Sequence, residues 1–208
     1  MQIKVIEVGY LQTNCYFVID EKTMDTAVID PGDDSNKILD TIEQGGFKVK
    51  AILLTHGHFD HCMGLEEVYK ATHAPVYMSH KDLNLDLGSA SFGLDWELDP
   101  PEDDTHFVSE GDEIECGDMT FTVLETPGHT PGGLSFIIED CLFTGDTLFR
   151  GSCGRYDFPG SSALELGRSL QKLRDLEGDY EVFPGHESPT TLDFERRFNP
   201  YMLQPWAL

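Results

Sequence analysis

The chain has 208 residues, with 38 acidic and 14 basic side chains, and its net charge is −24. This charge repels polyanions, which argues against a DNA or RNA substrate. No apolar run approaches the roughly 20 residues that a membrane-spanning helix needs. The N-terminus has no secretory h-region, and the five cysteines form no CxxC pair. We therefore expect a single domain over residues 1–208, with reduced thiols, in the cytoplasm and without a nucleic-acid or membrane partner.

The first half of the chain predicts strands and helices in alternation. The predicted strands cover residues 3–10, 14–20, 26–30, 49–54 and 75–78, and the predicted helices cover residues 35–44 and 64–72. Residues 79–105 form the least regular segment, with a helical piece around 81–87 and an exposed acidic linker over 99–104. This insert is either a lid or substrate loop beside a site, or an ordinary surface excursion.

The second half returns to strands and closes with helices. The predicted strands cover residues 106–108, 113–116, 120–125, 134–138, 141–144 and 180–183, and the predicted helices cover residues 162–175 and 192–198. Strands and helices are interleaved in both halves. The pattern predicts an α/β (α+β) fold in which two sheets pack face to face with helices outside, a four-layer αββα sandwich.

Four side chains able to bind a transition metal directly follow the apolar run at 51–54. They are His56, His58, Asp60 and His61. In an extended backbone, side chains two positions apart point the same way, so His56 and His58 can converge on one ion. Asp60 and His61 are then free for a second ion. Imidazole and carboxylate without thiolate suit zinc, iron or manganese. A solvated polar loop rich in histidine is the alternative interpretation.

Three later segments repeat the order of apolar strand, glycine and potential ligand, and they end in His129, Asp146 and His186. Glycine lets the chain turn and leaves room beside an ion, and a rigid sheet behind a ligand holds it in place. A single such turn is common in proteins, but three of them after the His/Asp cluster predict one shared metal site. The remaining histidines, His73, His80 and His106, are predicted to lie at the surface or at helix ends, and Cys62 is predicted to be a packing residue.

These motifs resemble a known family. HxHxDH at 56–61, TPGHT around His129, FTGD ending in Asp146 and PGH ending in His186 resemble the metallo-β-lactamase superfamily and its αββα sandwich. Aspartate at position 146 resembles the branch that includes glyoxalase II, and residues 146–160 are similar to a short subgroup of glyoxalase II-like proteins. Full-length glyoxalase II also has a C-terminal helical region that helps to hold glutathione, which we do not expect in a sequence that ends at Leu208.

The resemblance implies two divalent metal ions, zinc in the first place and iron or manganese as alternatives. His56, His58 and His129 would hold one ion, Asp60, His61 and His186 would hold the other, and Asp146 with a hydroxide would bridge them. Asp60 and Asp146 would also be the catalytic residues. The bridging hydroxide would attack the carbonyl carbon of a small acyl thioester or ester. A thiol leaves more readily than an amide nitrogen, because it can depart as a thiolate without a proton donor.

Three residues that follow Asp146 are candidates for substrate binding, namely Arg150, Arg155 and Tyr156. Packing and salt bridges within their loop are an equally good explanation. Two other functions remain open. The fold also resembles persulfide dioxygenases, in which His56, His129 and Asp146 would hold a single iron. A metal-binding protein without catalytic activity is the third hypothesis. The sequence does not identify the physiological substrate, the native metal or the oligomeric state.

Overall fold

The computed structural model describes residues 1–83, 85 and 89–204. Its first sheet contains strands in the order of the chain. They are β1 (Gln2–Val8), β2 (Thr13–Ile19), β3 (Asp25–Ile29), β4 (Lys48–Leu53), β5 (Val76–Met78) and β6 (Thr105–Phe107). β1, β2 and β3 form an antiparallel meander, as the short turns between them predict. From β3 to β6 neighbouring strands run parallel, because a helix or the 79–105 insert carries the chain back each time.

The second sheet is built from the other half of the chain. Its strands are β7 (Glu113–Cys116), β8 (Met119–Glu125), β9 (Leu134–Ile138), β10 (Cys141–Gly145), β13 (Glu181–Pro184) and β14 (Thr190–Thr191). β7 to β10 are antiparallel in sequence, and β13 joins β10 in parallel. A separate hairpin, β11 (Leu148–Phe149) and β12 (Ser152–Cys153), lies between β10 and β13 along the chain.

Helices cover the outer face of each sheet. Their bounds are α1 (Ser35–Gly45), α2 (Phe59–Cys62), α3 (Leu65–Thr72), α4 (Ala163–Arg174), α5 (Leu192–Phe198) and α6 (Pro200–Leu203). The central core joins inward side chains of both sheets, such as Val18 and Phe136. The other two cores lie between the first sheet and α1 and α3, and between the second sheet and α4, α5 and α6. The predicted αββα sandwich is confirmed.

The elements that the sequence analysis does not predict are short. α2, α6, β14 and the β11–β12 hairpin are two to four residues each, too short for a periodic pattern to reveal. The predicted helical piece at 81–87 is a 3-10 turn at His80–Asp82 in the part that is described, and residues 84 and 86–88 lie outside it. Among the described residues, no helix combines the length and the apolar character that crossing a bilayer requires.

Candidate metal centre

The first group of potential ligands consists of His56, His58 and His129, which we call the first triad. One nitrogen from each histidine lies within 4.8 Å of the others, and all three rings are buried. His56 Nε2 and His58 Nδ1 are 3.0 Å apart. His56 and His58 follow the end of β4, where the chain is extended, and His129 follows β8. The alternation of side chains in extended backbone therefore has the expected result for the two histidines of the first loop.

The second triad consists of Asp60, His61 and His186, whose potential ligand atoms also lie within 4.8 Å of one another. Asp60 Oδ2 is 3.3 Å from His186 Nε2, and the two histidine Nε2 atoms are 3.4 Å apart. Asp60 and His61 lie in α2, and His186 follows β13. Since α2 turns the chain directly after His58, the next two polar side chains reach a different point from the first two.

Asp146 lies between the two triads, at the end of β10. Its Oδ2 is 3.3 Å from His129 Nε2 in the first triad and 3.5 Å from His186 Nε2 in the second. Its Oδ1 is 3.4 Å from His61 Nε2. The structure thus brings together all seven side chains that the sequence singles out, and Asp146 has the position of a group shared by both triads.

A buried carboxylate, Asp30, fixes the histidine rings of both triads. Its Oδ2 accepts a hydrogen bond from His61 Nδ1 at 2.8 Å and another from the Thr55 hydroxyl at 2.6 Å. Because the Thr55 proton is used in this way, Thr55 Oγ1 is free to accept from His56 Nδ1 at 3.0 Å. Both rings therefore have Nδ1 engaged by a hydrogen bond and Nε2 directed into the site, which is the orientation that metal binding requires.

The buried lone pairs and carboxylates of this cluster favour a positive charge at its centre. His129 Nδ1 donates to the carbonyl oxygen of Arg155 at 2.7 Å, so the lone pair of His129 Nε2 faces the carboxylate of Asp146. His129 Nε2 and Asp146 Oδ1 are buried without a hydrogen-bond partner among the described groups. Buried polar atoms are rarely left in this state unless an ion or water binds them. These orphaned atoms and the donor set of imidazoles and carboxylates fit one or two divalent cations.

The pKa shifts of the potential ligands agree with this conclusion. Burial lowers the pKa of His61, but Asp60 and Asp146 outweigh burial and hold it well above its usual range. Burial raises the pKa of Asp146, yet the charges of His61 and His186 keep it well below the usual value for a carboxyl group. In the first triad, burial together with His129 lowers the pKa of His58 to about 3. The carboxylates are therefore ionised and His58 is neutral at pH 7, as ligands must be.

A second buried carboxylate, Asp82, joins the loops of the first triad. Its side chain accepts hydrogen bonds from Gly57 N at 2.9 Å, from the Thr130 hydroxyl at 2.7 Å and from Gly132 N at 2.6 Å. Gly57 separates His56 from His58, and Thr130 follows His129. The sequence gives no sign of this role, because Asp82 belongs to the irregular insert. Asp30 could have been found from the sequence, because it follows an apolar strand as the potential ligands do.

The first sheet also holds the loop of the second triad. Asn14, on β2, donates from Nδ2 to the carbonyl oxygens of Pro184 and Glu187, at 3.0 and 2.9 Å. The neighbouring Thr13 hydroxyl donates to Asp60 Oδ2 at 3.0 Å. The bonds of Asn14 hold the His186 loop of the second sheet against β2 of the first, and the bond of Thr13 holds the Asp60 carboxylate.

The glycines before the ligands act in two different ways. Gly128 and Gly145 have φ of +134° and +48°, so they supply the left-handed backbone that the sequence analysis expects. Gly185 is not among the residues with positive φ. A Cβ there would collide with Asp146 Oδ1 and would lie 2.7 Å from His61 Cε1, so its role is to leave space for the two triads.

A cavity of about 510 Å³ opens onto both triads. Of the predicted substrate-binding residues, Arg155 is part of its lining. Arg150 and Tyr156 are not among the lining residues that the structure describes. The guanidinium of Arg150 lies 5.9 Å from the ring centre of Phe194, on α5. Cys153 is in the lining, whereas the Cys62 thiol donates to the carbonyl oxygen of His56 inside the core.

Comparison with known proteins agrees with this geometry. Residues 8–186 match the family model described as the metallo-beta-lactamase superfamily. The hydroxyacylglutathione hydrolase GloC of Haemophilus influenzae is 35% identical over 97% of this chain and 98% of its own length. An uncharacterised protein of Aquifex aeolicus is 41% identical over 97% of both chains.

Solved structures give the same result. The BLEG-1 B3 metallo-beta-lactamase matches with a TM-score of 0.89 and 32% identity, over 98% of this chain and 100% of that one. TTHA1623, solved in a di-iron-bound form, matches with a TM-score of 0.83 and 38% identity over 95% and 99%. ETHE1 from Myxococcus xanthus matches with a TM-score of 0.80 and 28% identity over 96% and 84%. With a family match that covers most of the chain and relatives above 30% identity along nearly all of it, this protein belongs to the metallo-beta-lactamase superfamily of metal-dependent hydrolases.

Proposed function

We propose that the protein is a dinuclear metal-dependent hydrolase that cleaves a small acyl thioester or ester. The observation that carries this proposal is the pair of triads with Asp146 between them. A site for a single ion would need only one of these groups, whereas here both are assembled and both are buried or nearly so. The relationship to GloC, a hydroxyacylglutathione hydrolase, supports thioesters as the substrate class.

In this proposal His56, His58 and His129 hold one ion, and Asp60, His61 and His186 hold the other. Asp146 contributes to both. Zinc is the first choice because the ligands are imidazole and carboxylate, and iron or manganese suit the same set. The di-iron form of TTHA1623 shows that a relative with 38% identity accepts iron.

Two divalent ions held there would act as Lewis acids. They would lower the pKa of bound water to about 7 and would polarise an acyl carbonyl group. The chain itself orients its ligands. Asp30 holds the His61 ring with Nε2 inward, and the carbonyl oxygen of Arg155 does the same for His129. Phe158 packs beside the first triad, with its ring centre 5.4 Å from that of His58. A thiol, with a pKa near about 8.5, leaves without a proton from the protein.

The test is metal analysis combined with thioester hydrolysis. Protein dialysed against zinc should hold about two ions per chain and should hydrolyse S-lactoylglutathione or a simpler thioester. His58→Ala should lower kcat/KM by at least about 100-fold, as expected for loss of a metal ligand. His73→Ala is the matched control, because His73 is an exposed histidine at the end of α3. A wild-type protein with two ions that hydrolyses none of a panel of thioesters and esters would refute the proposal.

A second candidate is an iron-dependent oxygenase of the persulfide dioxygenase type. Two histidines and one carboxylate are a common ligand set for non-haem iron, and His56, His129 and Asp146 offer it. His129 Nε2 and Asp146 Oδ2 are 3.3 Å apart. Protein produced with iron present would then contain about one iron per chain and would consume oxygen with glutathione persulfide. Two ions per chain and no oxygen uptake would leave the hydrolase as the better proposal.

A further inference from the structure

One wall of the cavity, beside the first triad, is aromatic. It consists of Phe59, Phe92 and Phe158, which we call the aromatic wall. The ring centre of Phe92 is 5.2 Å from that of Phe59 and 6.1 Å from that of Phe158. Phe158 in turn lies 5.4 Å from the His58 ring. The three rings therefore form one continuous surface that reaches the ligands of the first triad, where an apolar substituent on an acyl group would be buried.

The aromatic wall comes from three separate parts of the chain. Phe59 begins α2, Phe158 belongs to the segment before α4, and Phe92 ends the 3-10 turn Ser89–Phe92 of the insert. Phe92 is 47% exposed although it contacts the other two rings. A large apolar side chain that remains half exposed at the mouth of a cavity is suited to contact with a bound ligand. The insert thus contributes to the substrate cavity.

The charged residues of the cavity lining do not favour an anionic ligand. Glu7 and Glu187 line the side near the second triad, and both are exposed. Among the described lining residues, Arg155 is the only lysine or arginine. Its guanidinium is paired with Asp157 through two hydrogen bonds of 2.9 and 3.0 Å and lies 4.1 Å from the ring centre of Phe158. The charge of Arg155 is therefore offset, and its position supports the aromatic wall.

We propose that the site selects thioesters whose acyl group carries an apolar, preferably aromatic, substituent and whose thiol is uncharged, rather than hydroxyacyl thioesters of glutathione. The proposal rests on the hydrolase function proposed above and names its substrate class. Glutathione brings two carboxylates and a net negative charge to a rim that already carries Glu7 and Glu187. A lactoyl group brings a hydroxyl group to an aromatic surface that has no hydrogen bond to offer it.

Four thioesters test the two features separately. They are the acetyl and phenylacetyl thioesters of N-acetylcysteamine, which is neutral, and of glutathione. Phenylacetyl should exceed acetyl in kcat/KM by about tenfold or more on either thiol, as expected for burial of an apolar ring. At low salt, kcat/KM should be about threefold to tenfold higher for the N-acetylcysteamine thioesters than for the glutathione thioesters. This ratio should fall in about 0.5 M salt, because salt screens exposed charges.

Variants then connect each preference to its residues. Phe92→Ala should lower the ratio of kcat/KM for the phenylacetyl thioester to kcat/KM for the acetyl thioester by at least about threefold. The matched control is Phe194→Ala, because Phe194 is an aromatic residue of α5 that is also 40% exposed. The double variant Glu7→Gln/Glu187→Gln should lower the ratio of kcat/KM for the N-acetylcysteamine thioesters to kcat/KM for the glutathione thioesters.

The possible results separate the two proposals. Hydrolysis of glutathione thioesters as fast as or faster than the neutral ones, with no gain from phenylacetyl, would overturn the substrate class and leave the hydrolase function in place. If protein with two ions bound hydrolyses none of the four thioesters and none of a panel of esters, the hydrolase function itself is refuted.

Discussion

Replacement of Asp82 by asparagine should loosen the two loops that carry the first triad. The Asp82 carboxylate is 2% exposed and accepts three hydrogen bonds, from Gly57 N, Thr130 Oγ1 and Gly132 N. Asparagine has one side-chain oxygen. If that oxygen takes the place of Oδ2, it keeps the bonds from Gly57 and Thr130, and the amide NH2 then faces the N–H of Gly132.

The expected cost follows from this count of donors. One hydrogen bond to a charged acceptor is lost, which is worth about 1.5 to 3 kcal/mol, and one buried N–H is left without an acceptor. Burial raises the pKa of Asp82, so removal of the charge returns part of this cost. We expect the free energy of unfolding of Asp82→Asn to fall by about 2 kcal/mol. Asp82→Ala leaves all three donors unsatisfied and should cost about 4 kcal/mol.

The first triad should respond more than the second, because Asp82 contacts the residues beside His56, His58 and His129. Removal of such a supporting group costs about 10-fold to 100-fold in metal affinity. Urea denaturation, together with zinc content during titration with a chelator, measures both effects. Asp99→Asn is the matched control, since Asp99 is an exposed carboxylate of the same insert. An Asp82→Asn protein that unfolds within about 0.5 kcal/mol of wild type and keeps both ions with wild-type affinity would refute the reasoning.

Three further predictions concern the ions and the carboxylates. His186→Ala removes a ligand of the second triad and should reduce zinc content from about two ions to about one; retention of both ions, by mass spectrometry of the metal, would contradict the assignment. A chelator should lower the free energy of unfolding by about 3 kcal/mol for each ion present at about 100 times its Kd, and an unchanged Tm would count against two structural ions. Burial raises the pKa of Asp60, but His61 and His186 hold it at about 2. The unfolded value is about 3.9, so the stability that Asp60 contributes to metal-free protein is present above about pH 4 and is lost as the pH falls toward 2. The difference in unfolding free energy between metal-free wild type and Asp60→Asn should shrink over that range, and a constant difference would show that Asp60 is not ionised by its neighbours.

Much of the fold was predictable because its strands are apolar and end in clear turns. β1 to β4 and β7 to β10 lie within two residues of their predicted bounds at either end. The position of the potential ligands also followed from the sequence, since each comes after a strand and parallel neighbours such as β10 and β13 end at one edge of a sheet. That these side chains bind metal stays a prediction.

The parts that sequence could not reveal depend on long-range contacts. Asp82 contacts groups 25, 48 and 50 residues away, and no local pattern marks it. Arg150 is a candidate for substrate binding because it follows Asp146 closely, with packing in its loop as the equal alternative; it lies in the turn of the β11–β12 hairpin, with its guanidinium 5.9 Å from the ring centre of Phe194. The helical turn α2 was hidden by the four polar residues of its motif, which also suit an extended loop.

Each triad takes its members from both sheets of the sandwich. His56, His58, Asp60 and His61 follow the first sheet, whereas His129 and His186 follow strands of the second. Each bound cation would therefore act as a cross-link between the two halves, much as a disulfide does in proteins that fold outside reducing compartments. Because the structure offers two such cross-links side by side, loss of one ion would leave the halves joined by the other, and complete demetallation would leave the central core and the contacts of Asn14 to hold the two sheets together.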